Sequence, residues 1–153
     1  MLDELLRVKN IREKSASEEV TRCKNHLEMT HQQLRDSEQE LQDYIAWRCK
    51  EEQLLYDNIM NNEIRQHDLD VLKQKIALLR EKDAELEQAI EKAKNNVIEA
   101  EEQLELAREA HKKARQAVDK FEEFKKVLDE EAAKEAQRIE DIEMEEFTVR
   151  PKR

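Results

Sequence analysis

LDVLKQKIALLREKDAELEQAIEKAKNNVIEAEEQLELAREAHKKARQAVDKFEEFKKVLDEEAAKEAQRIEDI, residues 69–142, is the stretch whose reading decides the fold. Counted in sevens, apolar residues return at Leu69, Ile76, Ile90, Val97, Leu104, Val118, Ala132 and Ile139. The column three residues later runs Leu72, Leu79, Leu86, Ala93, Ala100, Ala107, Ala114, Phe121, Leu128 and Ile142. Four positions break the pattern: Asp83, His111, Lys125 and Glu135. Columns sustained over this many heptads specify a coiled coil, in which a helix buries a narrow seam against a partner helix.

Composition narrows the class. The 153 residues include no glycine and one proline, at position 151, so nothing interrupts a helix from inside. Phosphate-cradling loops and dinucleotide-binding turns need glycine, so no nucleotide or other cofactor site is expected. With 43% charged and 4% aromatic residues, the chain buries seams rather than a broad core. A net charge of -10 opposes nucleic acid and anionic membranes and favours basic partners. No run is long enough to span a membrane, and Met1 is followed by mixed charge, so a cytoplasmic location without membrane insertion is expected. Cys23 and Cys49 lie roughly 39 Å apart if on one helix, too far to pair within the chain.

Residues 2–57 carry a second set of columns. Leu6, Val20, Leu27, Leu34, Leu41 and Leu55 form one, and Ala16, Cys23, Thr30, Ser37 and Tyr44 form the other. Large residues beside small ones match the Ile, Val and Leu beside alanines from Ile90 to Ala114. Between the two regions, Asn58, Asn61 and Asn62 weaken helix propensity, and Asp68 can cap a new helix before Leu69. The expected fold is all-α: an antiparallel coiled-coil hairpin over residues 1–147, with a helix over about 2–60, a bend at about 58–69, a helix over about 69–143, and a flexible basic tail at 148–153. Arms of about 60 residues give a rod roughly 90 Å long. A hairpin satisfies both seams within one chain and predicts a monomer; the competing architecture is one uninterrupted helix that dimerises in parallel. If facing residues have numbers summing to about 130 or 131, large meets large, small meets small, and Arg48 meets Asp83. A register one heptad along sets Glu13 on Lys125 and leaves Arg48 against Ile90, which is costlier.

Nothing in the sequence reads as catalytic or metal-binding. His26 and His31 fall on different helix faces, and His111, in a core column, reads as a polar residue that sets register. From Asp129 to Glu146 there are nine acidic and two basic residues, either a solvated face or a docking surface. The segment from Asp43 to Asp57 holds the only tryptophan and both tyrosines. Tyr44 lies in a seam column and Trp47 falls beside it, so part of the aromatic surface is expected to be exposed as a protein-binding hot spot. The alternative is that Trp47 packs over the hairpin edge.

Tyr-x-x-Trp-Arg-x-x-Glu-Glu-x-x-Leu-Tyr-Asp from Tyr44 to Asp57, the Gln74 to Lys82 segment, and Leu6-Arg7-Val8-Lys9 with Arg12 resemble the YscO proteins of bacterial type III secretion systems, over essentially the whole chain. That resemblance implies a stalk similar to the flagellar FliJ protein, a hairpin whose paired termini enter the pore of a hexameric secretion ATPase while the other end reaches the export gate and engages export chaperones. It implies a position peripheral to the inner-membrane secretion apparatus and no enzymatic activity. Carried onto this sequence, Arg7, Lys9 and Arg12 would contact the ATPase. Tyr44, Trp47, Arg48, Glu51, Glu52, Leu55 and Tyr56 would serve the gate or chaperones. The other functional class is a homodimeric coiled-coil tether or scaffold unrelated to secretion.

Overall fold

The computed structural model describes residues 2–61 and 65–149. Two α-helices account for nearly all of them: α1, Leu2–Met60, and α2, Gln66–Val149. They pack against each other as a helical hairpin. Asp3 and Glu4 in the first turn of α1 and Asp68 in the first turn of α2 place negative charge where the helix dipole is positive. Because α2 starts at Gln66, Asp68 lies inside its first turn rather than ahead of it as a cap; the backbone N–H of Leu69 already donates to the Arg65 carbonyl at 3.2 Å. At the other side of the connection, Asn61 N–H donates to the Asp57 carbonyl at 3.2 Å and closes the end of α1. Asn58 therefore belongs to the helix, while Asn62 lies outside the described residues.

At its far end α2 continues past residue 143 to Val149. Ala132, Ala133 and Ala136 among Glu, Lys and Arg are strong helix formers. Arg138 pairs with Glu135 at 2.6 Å and Gln137 donates to Asp141 at 3.0 Å, adding support at three- and four-residue spacing. Thr148 and Val149 are thus helical, and the remainder of the expected basic tail, 150–153, lies outside the described residues. Among the described residues no helix is long and apolar enough to cross a membrane.

The chain divides into two compact units. In the unit comprising residues 21–106, the buried apolar side chains are Leu72, Leu86, Ala93, Val97, Ala100 and Leu104, all from the α2 columns. Leu27, Leu34, Leu41 and Leu55 of α1 are half-buried. A two-helix seam covers each side chain from one direction only, and here the α1 leucines keep an exposed flank while Leu72, Leu86 and Leu104 of α2 are covered along with the alanines. Thr30, 4% exposed, sits in the small column, and its hydroxyl donates to the Leu27 carbonyl at 2.7 Å, so this buried polar group is satisfied within its own helix. Arg48 meets Asp83 across the helices at 2.9 Å, the contact expected of the first register.

The second unit comprises residues 1–20 with 107–153. Ala107 and Val118 are its buried apolar residues, and Val118, at 1%, is the most enclosed large side chain described. Glu13 bonds His111 and Lys125 bonds Asp3, so the alternative pairing of Glu13 with Lys125 is not adopted. Every described residue from 129 to 148 is exposed.

Three outcomes test this packing. In a Cys23→Ser/Cys49→Ser background, oxidation should link Thr30→Cys to Ala100→Cys and not to Ala93→Cys, about 10 Å further along the helix; non-reducing gels with mass spectrometry decide it. Leu86→Ala should cost about 2–3 kcal/mol in denaturant melts, the low end for leucine truncation because the seam is thin. Light scattering should return the single-chain mass of 18.3 kDa.

Candidate partner-binding surfaces

The tryptophan stretch of α1 separates into a part that faces α2 and a part that faces solvent. Arg48 sits at the centre of the first. Its Nε and Nη2 reach the two oxygens of Asp83 at 3.1 and 2.9 Å, and its Nη1 reaches Glu52 Oε1 at 3.1 Å. Arg80 Nε donates to the same Glu52 oxygen at 3.2 Å. Two cations and two carboxylates alternate in a chain that runs from the seam, where Arg48 and Glu52 keep only 14% and 12% of their side chains exposed, out to Arg80, which is 64% exposed. The hydrogen bond from Arg80 is the largest influence on Glu52; together with that from Arg48 it outweighs burial and holds the carboxyl below the usual range. For Arg48 burial opposes the charge, but hydrogen bonds to Glu52 and Asp83 win and its pKa rises. Fork-shaped guanidinium geometry is what permits one side chain to serve two carboxylates.

Tyr44 is the second anchor. Its hydroxyl donates to the Leu79 carbonyl at 2.7 Å. Burial, then the nearby charge of Asp83, pushes its pKa above the ordinary tyrosine value, which keeps the donor protonated. The Trp47 ring lies against Tyr44 with centroids 5.7 Å apart and planes tilted by 36°. Trp47 remains 49% exposed. It is therefore an aromatic surface braced from below by a residue that is itself tied to the other helix.

Not all seven residues of the aromatic set share one surface. At 100° per residue, Glu51 and Leu54 lie on the Trp47 side of α1, whereas Tyr56, nine residues on, falls about 180° away. Tyr56 is exposed, with Met60 one turn beyond it, and Leu55 is half-buried in the seam. Leu54, 58% exposed, is absent from the sequence-based set; its seven-residue spacing from Trp47 was the available signal.

In the other unit, Arg7, Lys9 and Arg12 do not converge. Lys9 lies over the Phe121 ring, its ammonium 5.7 Å from the centroid, a cation–π contact that joins the helices. Arg7 and Arg12 are exposed but about 140° apart around α1. Exposed Leu5, Val8 and Ile11 are interspersed with them. His111 Nε2 is 2.8 Å from Glu13 Oε1, so the histidine in the core column has a carboxylate partner. Among the described residues no group of three or more His, Cys, Asp or Glu is placed to hold a metal ion.

Comparison with known proteins matches residues 2–150 to the family model described as type III secretion protein YscO. The chain is 32% identical over 131 residues to Yop proteins translocation protein O of Yersinia pseudotuberculosis serotype I (strain IP32953), covering 86% of this chain and 85% of that one. It is similar to the crystal structure of type III secretion protein YscO from Vibrio parahaemolyticus, with a TM-score of 0.87 and 28% identity over 96% of this chain and 92% of that one.

Asp83→Ala should lower the melting temperature more than the double change Arg48→Met/Asp83→Leu, because the single change leaves an unpaired cation in the seam. Glu52, with its folded pKa depressed, contributes stability that is fully present above the unfolded value near 4.5 and is lost as pH falls through the lower folded value. Melting curves from pH 7 to pH 3 should thus fall more steeply for the parent than for Glu52→Gln.

Proposed function

The chain is a member of the YscO family of type III secretion proteins, and from that premise we propose that it is a cytoplasmic stalk that links the hexameric secretion ATPase to the export gate, stimulates the ATPase and binds export chaperones. The observation that carries this reading is the braced, half-exposed Trp47. Hot-spot aromatics are characteristically large, pre-positioned and only partly solvated before the partner arrives, and Trp47 meets all three conditions through Tyr44 and the Leu79 carbonyl. Exposed Tyr56, on the opposite side of α1, offers a separate contact, while Glu51 and Leu54 extend the Trp47 surface offered to the gate or chaperones. Arg48, Glu52 and Leu55 act from beneath it: the first two hold the helices in register and the third fills the seam.

The ATPase contact is assigned to the unit containing the N-terminal segment of α1, where Arg7 and Arg12 are exposed and free to meet acidic groups. Lys9 contributes by fixing α1 on Phe121. The mechanism is mechanical and allosteric. A two-helix shaft is asymmetric, so each subunit around it meets a different surface, and differential contacts shift subunit conformations. A seam satisfied within one chain suits this role, because the shaft does not depend on finding a second copy.

Trp47→Ala should reduce secretion, and the affinity for gate or chaperone, by about tenfold or more while leaving helix content and melting temperature close to the parent. A large melting shift with unchanged binding would place Trp47 among packing residues. Reversing charge at Arg7 and Arg12 together should weaken ATPase stimulation most at low salt; stimulation equal to the parent would remove these two as the contact.

A further inference from the structure

The segment from Gln74 to Lys82 carries a stripe of exposed side chains. Lys75, Leu78 and Lys82 follow one another at three- and four-residue spacing along α2, and Leu78, at 66%, is more exposed than Trp47. Arg80 shows which side of the hairpin the stripe borders, because it meets Glu52 on one flank of the seam. At about 100° per residue, Lys75, Leu78 and Lys82 lie about 140–160° around α2 from Arg80. Trp47 and Leu54 lie equally far around α1 from Glu52, so both stripes border the other flank. The Arg48–Asp83 contact sets their level. In the antiparallel pair Trp47 then stands opposite Ala84 and Leu54 opposite Ala77, which puts Lys82 and Lys75 each within two residues, about 3 Å along the helix axis, of one of them. Leu78 falls between, and the strip is about 10 Å long from Trp47 to Leu54.

Charge on this strip runs against that of the chain. Lys50, three residues from Trp47 and four from Leu54, edges it on α1 as Lys75 and Lys82 do on α2. Among the described residues Lys50 and Lys75 have no ion-pair partner, and Lys82 has a 3.6 Å contact with exposed Glu85. Glu51 is the one described carboxylate within these bounds; Asp43 and Asp57, at the ends, accept hydrogen bonds from Gln39 and Gln53 of their own helix. Three cations to one anion contrast with a net charge of -10 for the whole chain. Two copies joined through this strip bring lysine against lysine at a helix-packing distance of about 8–10 Å, close to one screening length. That disfavours a second copy and favours an occupant with apolar residues on one face and carboxylates beside them.

We propose that the strip formed by Trp47, Leu54 and Leu78 and edged by Lys50, Lys75 and Lys82 is a docking groove for an acidic amphipathic helix of a partner protein. The incoming helix lays its apolar face on the three large side chains and sets its carboxylates beside the lysines. This rests on the reading of Trp47 as a partner contact and deepens it, giving the partner's chemistry and adding residues of α2 to the site.

Trp47 is the only tryptophan of the chain, so its emission reports occupancy of the strip directly. The full chain is titrated with three synthetic tryptophan-free peptides of about 18 residues, five helical turns. The first has leucines at three- and four-residue spacing flanked by glutamates; the second replaces the glutamates by lysines; the third scrambles the first. The first should move the emission to shorter wavelength and bind at least about tenfold more tightly than the other two. Lys75→Glu/Lys82→Glu, with unchanged circular dichroism, should lose at least about tenfold for the first peptide and gain affinity for the second. Leu78→Asp should lose at least about tenfold likewise. Lys73→Glu, on the flank of Arg80, should leave affinity within about twofold, which general attraction to a basic helix does not predict. Equal binding of the scrambled peptide, no loss in the lysine double variant or in Leu78→Asp, an equal loss in Lys73→Glu, or no binding at all overturns the proposal. A concentration-dependent dimer abolished by Leu78→Asp overturns it in favour of a second copy. Secretion lost in Trp47→Ala but kept in Lys75→Glu/Lys82→Glu overturns the groove and leaves the stalk reading standing, whereas selective binding of the first peptide with secretion intact in Trp47→Ala supports the groove and overturns the use the stalk reading makes of Trp47.

Discussion

A charge in a two-helix seam has only one place to find its counter-charge, and this constraint governs the structure. The apolar columns of a regular heptad repeat are nearly indifferent to sliding by seven residues, since leucine still meets leucine and alanine still meets alanine. Arg48 removes that indifference. It requires two carboxylates within reach, and Asp83 across the seam with Glu52 one turn along its own helix provides them. A shift of seven residues either way sets Arg48 against Ile76 or Ile90 and leaves it Glu52 alone, so part of its desolvation goes uncompensated. Specificity in this fold thus comes from the places where the hydrophobic pattern fails.

That division explains how much was legible in the sequence. The columns from Leu69 to Ile142 and from Leu6 to Leu55 specify helices and their pairing, because period and composition are local properties. Arg48 opposite Asp83 was legible for the same reason: both are charged residues in apolar columns, and only one register joins them. The start of α2 was less accessible. Asp68 is a good capping residue, but acids are also favoured inside the first turn, and sequence alone does not separate the two roles. The far end of α2 was similarly opaque, since a segment of high charge reads equally as helix or as frayed chain until the alanines and the Glu135–Arg138 pair are weighed together.

The candidate surfaces were legible as residue types and not as surfaces. Trp47 beside a seam-facing Tyr44 follows from a three-residue spacing. That Tyr44 would spend its hydroxyl on the Leu79 carbonyl does not, because this depends on how closely the helices approach. Arg48 and Glu52 carry the chemistry of an interface and are occupied within the chain. Arg7, Lys9 and Arg12 form a cluster in the sequence and disperse around the helix, one of them onto Phe121.

The spacing of the cross-helix ties along the chain also bears on how the hairpin assembles. Glu52 and Arg80 are separated by 28 residues and Arg48 and Asp83 by 35, whereas Glu13 and His111 are 98 apart and Asp3 and Lys125 are 122 apart. Loop-closure entropy rises with the logarithm of that separation, so the arginine network is the cheapest tie to form first, and the apolar columns between it and the later ties can then pair turn by turn. Assembly then resembles a zipper started at the helix connection. Interactions around Arg48 weigh on the rate at which the chain folds, and those around Asp3 and Lys125 weigh on how readily it begins to open.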